Sequence, residues 1–289
     1  MGILKLNYKA LRALLAVLVI SVSASGCTIK LAYNFLDWGL YWELKDYIKF
    51  NRDQRLLIKD EISQLIDWHR SDELPQYADQ LEKLSIGLEN GMSVEKLEVS
   101  YNNLRDSWQR IVIKALPAAV NIISNLNDQQ INDFFEMLIE KEVDDAKDIE
   151  RGTSARTVEE REAYVSEKIV NVIGKLNKEQ KALIAQWAQS TESTKKFSLV
   201  QAIQWRTRMQ AAVAERHDEQ QLEKNLMVLF ANPDQLRSVS YRRVIEKNTR
   251  LVMQLLFDLN QSLTNQQRSR LIKKLKGYIE DFRDLSDSL

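Results

Sequence analysis

Residues 93–115 read SVEKLEVSYNNLRDSWQRIVIKA. Apolar side chains recur at Val94, Leu97, Tyr101, Leu104, Trp108, Ile111 and Ala115, in steps of three and four. That spacing follows the helical turn and lays one apolar stripe along a helix. A strand would need alternation in steps of two, and no run of it competes. Working outward, the same pattern holds at Ile58, Ile62, Leu65 and His69, and at Leu271, Leu275, Tyr278, Phe282 and Leu285. The chain is therefore predicted to be all-α, a multi-helix bundle. Ser93 supplies an N-cap for the first stretch, and Pro117 is predicted to kink or end that helix. Leu74-Pro75 opens a short helix that closes at Gly87-Leu88-Glu89-Asn90-Gly91. Asn232-Pro233-Asp234-Gln235 reads as a helix start, with Pro at the first helical position. Glu150 to Thr157, with Gly152, Thr153 and Ser154, reads as a linker. It predicts helical halves at 27–151 and 152–289, packed on each other or drawn out as one elongated bundle.

Composition agrees with this reading. Of 289 residues only eight are Gly and three Pro, against the turn-rich needs of all-β folds. Basic and acidic residues balance at 41 each, which gives no electrostatic reason for a nucleic-acid partner. Two of the eight Gly fall within the first 26 residues, and none of the rest forms a phosphate-cradling loop, so no nucleotide is expected. With one Cys there is neither an internal disulfide nor a cysteine zinc site.

The position of that Cys is informative. Lys5, Lys9 and Arg12 precede an apolar run, Ala13 to Val22, too short to span a bilayer. Ala24-Ser25-Gly26-Cys27 then resembles the bacterial lipobox, which implies a signal peptide over 1–26 and a covalent lipid on Cys27. The alternative is an ordinary secretory signal with a chance Cys beside the cut. Lipoproteins kept in the inner membrane often carry Asp after the cysteine. Thr28 stands there, so the resemblance implies the outer membrane, with the body facing the periplasm. The three signal bases removed, 38 basic residues face 41 acidic ones, and charge alone would not draw the body to anionic lipid.

Leu126-Asn127-Asp128-Gln129-Gln130, Leu176-Asn177-Lys178-Glu179-Gln180 and Leu263-Thr264-Asn265-Gln266-Gln267 share one pattern. Asn127, Asn177 and Thr264 stand three residues before Gln130, Gln180 and Gln267, the spacing of a capping box with a leucine staple before it. These segments read as three capped helices. They also resemble the Leu-Thr-x-x-Gln motif of the Spy and CpxP periplasmic chaperones, which are small all-helical cradles.

Between residues 33 and 50 lie Tyr33, Phe35, Trp38, Tyr41, Trp42, Tyr47 and Phe50. Such a cluster forms either the core of the first helix pair or a helix lying at the membrane surface. Further on comes Asp67-Trp68-His69-Arg70-Ser71-Asp72-Glu73-Leu74-Pro75-Gln76-Tyr77. Tyr33-Asn34, His69-Arg70 and Glu73-Leu74-Pro75, with the lipobox, resemble an uncharacterised family of all-helical proteobacterial lipoproteins. That resemblance implies lipidation and an α-helical body, and no activity or cofactor.

The candidate functional residues are thus Cys27, Tyr33, Asn34, His69, Arg70 and Glu73. His69 is expected at the core edge, satisfied by Asp72 or Glu73. Two His without Cys make a poor metal site, and neither a metal nor a cofactor other than the lipid is expected. The leading expectation is a non-enzymatic envelope protein that binds a protein partner through amphipathic helices. The alternatives are a hydrolase using Glu73 and His69 as acid and base, or a structural tether within an envelope complex.

Overall fold

The computed structural model describes residues 27–153, 155–231 and 233–288. The expected signal segment, Ser154 and Asn232 lie outside the described residues. Among the described residues the chain is all-α and holds no strand. The N-terminal helices are α1 Cys27–Asn34, α2 Leu36–Lys45, α3 Arg52–Trp68, α4 Leu74–Asn90, α5 Val94–Ser124 and α6 Asp128–Glu150. The C-terminal ones are α7 Val158–Ile173, α8 Lys178–Ser190, α9 Lys195–Ala214, α10 Glu219–Ala231, α11 Val239–Gln261 and α12 Asn265–Asp287.

Four apolar cores hold the helices together. Tyr33, Ile58, Ile66 and Leu74 pack with Ile279 and Phe282 of α12. Leu116 and Phe135 meet Met209, Leu222 and Leu226. Leu88 and Leu97 join Met253 and Ile272, and Ile173 and Ile184 join Leu255 and Leu259. Gly152 does sit in a turn, with φ 71°. Three of the four cores draw residues from both sides of it, because α12 packs along α4, α10 along α5 and α9 along α6.

Two paired glutamines fix the helix starts. Asn177 accepts from Gln180 N, and Gln180 Oε1 accepts from Asn177 N, closing a capping box; Thr264 and Gln267 do the same. The glutamines then bond each other. Gln180 Nε2 donates to Gln267 Oε1 at 2.9 Å, and Gln267 Nε2 returns to Gln180 Oε1 at 3.0 Å. Each amide's second donor reaches a carbonyl just ahead of the other helix, Ser262 and Lys175 respectively. Every amide donor and acceptor is thereby satisfied, which is what a buried carboxamide requires. The Asn127–Gln130 box has a matching partner that the sequence reading missed, Asn51–Gln54. Gln54 and Gln130 exchange bonds of 3.0 and 2.8 Å and reach Asn125 O and Lys49 O. Phe50-Asn51-Arg52-Asp53-Gln54 carries the same signal, with Phe in place of Leu.

Three sequence expectations are corrected. The helix from Val94 does not end at Pro117 but continues through it to Ser124. The carbonyl that Pro117 cannot bond belongs to Ile113, on an exposed part of the helix, while buried Leu116 and Val120 hold both sides of the proline in the core. Leu104 is exposed, and the buried positions are Leu97, Ser107, Val112, Leu116 and Val120. A stripe read in steps of three and four drifts around a straight helix of this length. Pro233 opens only a short 3₁₀ turn to Leu236, held by an Arg237–Asp234 ion pair and the buried Leu236 side chain. Ser238 then caps α11 by accepting from Tyr241 N.

Candidate functional site

Between α3 and α4 the chain does not break but widens into a π turn, His69–Glu73. Pro75 follows directly and has no N–H for the carbonyl of Ser71, while Gln76 Nε2 takes the carbonyl of Asp72 at 2.9 Å. A π turn inside a helix re-aims the side chains it carries. Here it sends His69 and Glu73 into the protein, toward different neighbours.

His69 meets Tyr33 of α1, whose hydroxyl lies 2.8 Å from Nδ1. The rings of Tyr33 and Tyr77 flank the imidazole, with centroids at 5.8 and 5.5 Å. The Arg70 guanidinium lies 5.4 Å over the Tyr33 ring. His69 is therefore satisfied by a phenol and not by Asp72 or Glu73. Asp72 is exposed and pairs with Ser71 Oγ, because the π turn carries it to the outer face. Burial pushes the His69 pKa down to about 4 and that of Tyr33 up to about 12. Both groups are neutral at pH 7, so they share a neutral hydrogen bond worth about 1 kcal/mol.

Glu73 is fully buried. Its two oxygens accept from Arg110 Nε at 2.7 Å and Nη2 at 2.9 Å, a bidentate clamp onto α5. The Arg110 pKa is raised, chiefly by this bond. Nη2 also donates to the buried Ser107 Oγ at 3.0 Å, which receives Gln80 Nε2 at 3.3 Å. Arg110 and Ser107 escaped the sequence reading. Both lie among other polar residues, Arg105, Asp106 and Gln109, on a long amphipathic helix, and only the fold singles them out by bringing them to Glu73.

Of the candidate residues, Tyr33, His69, Arg70 and Glu73 gather around the π turn. Asn34, at the end of α1, is exposed and stands apart. Cys27 begins α1. Asn127, Gln130, Asn177, Gln180, Thr264 and Gln267 form the boxes described above. Two surface cavities among the described residues, one lined by Lys175 and Arg270 and one by Lys49 and Asp133, lie in other parts of the bundle and include neither His69 nor Glu73. Among the described residues no group of three or more His, Cys, Asp and Glu is placed to hold a metal ion.

The buried imidazole makes stability depend on pH. The unfolded chain protonates His69 near pH 6.5, whereas the folded chain resists until about pH 4. Between those values the unfolded state holds the extra proton, so stability falls as pH falls, by up to ~3 kcal/mol in all. Urea midpoints at pH 7 and pH 4.5 should show the loss in the wild type. His69→Gln should flatten that part of the profile, and an unchanged slope would mean that other groups carry it.

A second feature adjoins Cys27. The aromatic segment divides between inside and outside. Tyr33 and Phe50 are buried, and Tyr41 packs against the same core. Leu31, Phe35, Trp38 and Trp42 point outward, 58, 62, 60 and 43% exposed. Their spacing of four, three and four residues makes one external stripe, on which the two indoles lie 5.4 Å apart. Lys45 Nζ sits 4.1 Å from the Trp42 ring centroid at its end. Among the described residues no helix is long and apolar enough to cross a membrane.

The profile of a family described only as a family of unknown function, DUF6279, matches residues 46–242. That span includes the π turn and its clamp to Arg110, but neither Tyr33 nor α12. No curated protein and no solved structure matches the chain.

Proposed function

This chain belongs to the DUF6279 family of unknown function, and we propose that it is an outer-membrane lipoprotein. It is tethered through a lipid on Cys27, faces the periplasm and acts as a non-enzymatic binding or assembly protein, chaperone-like toward a protein client. The observation that carries this reading is the exposed Leu31–Phe35–Trp38–Trp42 stripe, which begins four residues after Cys27. Trp and Phe beside a lysine suit the headgroup boundary, where rings enter lipid and the ammonium stays in water. On an anchored chain the stripe would lie on the bilayer and orient the bundle above it.

The absence of catalysis is part of the same proposal. A general acid must release and take up a proton at the substrate. Glu73 has both oxygens engaged by Arg110, and an imidazole of pKa about 4 is a poor base at neutral pH.

Metabolic labelling with a radioactive fatty acid should mark the wild-type chain and leave Cys27→Ala unlabelled. A labelled Cys27→Ala chain would overturn the tether. In the acylated protein, brominated lipid should quench tryptophan fluorescence, and Trp38→Ala/Trp42→Ala should abolish most of that quenching although four tryptophans remain. Quenching that survives the double substitution would remove the stripe from the membrane.

A further inference from the structure

The two glutamine-paired units each carry a cavity in a corresponding place. One, about 360 Å³, lies beside the Gln54–Gln130 pair; Lys45, Asp46, Lys49, Asp133, Glu136 and Glu140 line it. The other, about 600 Å³, lies beside the Gln180–Gln267 pair; Glu162, Ser166, Asn171, Lys175, Lys181 and Arg270 line it. The positions correspond along the chain. Lys49 and Lys175 both stand two residues before an N-cap, Asn51 and Asn177, and each gives its carbonyl to the opposite glutamine. Asp133 and Arg270 both stand six residues after an N-cap, Asn127 and Thr264. At that position the same local frame carries an acid in one unit and a base in the other. The frame therefore does not dictate the charge, and the positive cavity needs another explanation.

We propose that the cavity between α7, the α7–α8 turn and α12 binds a phosphate-bearing ligand. Lys175, Lys181 and Arg270 have no ion-pair partner among the described residues, and Glu162 is the one acid in the lining. Lys274, one turn beyond Arg270, donates to the carbonyl of Asn171 at 3.0 Å. Its pKa is lowered, chiefly by burial and further by the Arg270 charge beside it. A guanidinium fork and two ammonium groups, beside the Ser166 hydroxyl and the Asn171 amide, match an anion with several oxygens and more than one charge. The cations stand at the open rim of the depression, so an anion can reach them from solvent. Gly174 forms the wall at φ 89°, and a Cβ there would lie 3.3 Å from Arg270 Nη1. A side chain at this position would crowd the guanidinium, and the positive φ favours glycine there as well.

Isothermal titration of the purified full chain with pyrophosphate, and separately with glycerophosphoglycerol, tests the site. The first probe represents a free phosphate and the second a deacylated lipid headgroup. We expect one or both to bind, more weakly as salt rises. Lys181→Gln/Arg270→Gln should weaken binding by about tenfold or more, the scale of two lost charge-assisted bonds. Both side chains are exposed, so its thermal midpoint should stay at the wild-type value. Glu136→Gln, in the acidic cavity, should bind as the wild type does. A preference for pyrophosphate marks a soluble ligand, and a preference for the diester marks a lipid. Binding of neither probe, or binding that survives the double substitution, overturns the proposal.

Discussion

Arg110→Ala should lower the stability of the fold by about 4 kcal/mol, the scale of removing one partner from a buried ion pair. Glu73 is fully buried and its two oxygens face Arg110 Nε and Nη2. With the guanidinium gone, the carboxylate keeps its desolvation cost and loses both charge-assisted bonds, while Ser107 loses one of its neighbours. Arg110→Lys should fall between, since an ammonium supplies charge but not the two-pronged geometry. Glu73→Gln should cost less than Arg110→Ala, because the orphaned arginine is 37% exposed and can turn to water. Urea unfolding at pH 7 followed by circular dichroism would measure all three. A loss below about 1 kcal/mol for Arg110→Ala would show that the clamp does not hold the π turn to α5.

Gln180→Leu should destabilise by a similar amount, about 4 kcal/mol, for a different reason. The residue has no exposed surface and four hydrogen bonds converge on its amide. Leucine fills the volume but strands one donor and one acceptor of Gln267, the N–H of Asn177 and the carbonyl of Ser262. Each stranded buried group costs roughly 1–3 kcal/mol, and some will relax toward water. Gln180→Leu/Gln267→Leu removes both amides at once and should be far less damaging than the sum of the single substitutions. Coupling between contacting residues reaches several tenths to about 3 kcal/mol. Strict additivity in this cycle would show that the two glutamines act as separate caps and not as a pair.

The helical period was legible because it records a backbone repeat that no partner alters. The caps were legible for the same reason, since Asn127 and Gln130 need only each other. Side-chain partners across the fold were not. Nothing near Gln180 in the chain points to Gln267, and nothing near Glu73 points to Arg110. His69 continues an apolar stripe and is buried, but its partner is Tyr33, because the π turn carries Asp72 to the outer face and Glu73 to Arg110, where a plain helix would keep both within its reach. Periodicity also cannot say whether a second helix covers a stripe. Tyr33 and Trp38 looked alike in sequence, yet one is buried and the other faces outward.

The glutamine pairs join positions 54 and 130, and 180 and 267, so each closes a long excursion of the chain. Secreted proteins commonly achieve such closure with disulfides, which restrict the unfolded chain. This chain has a single cysteine, at position 27, so that route is closed to it within one molecule. Its cross-links are instead reversible and redox-silent. They form and break with the fold itself, need no oxidase or isomerase, and neither an oxidising nor a reducing environment can act on them directly.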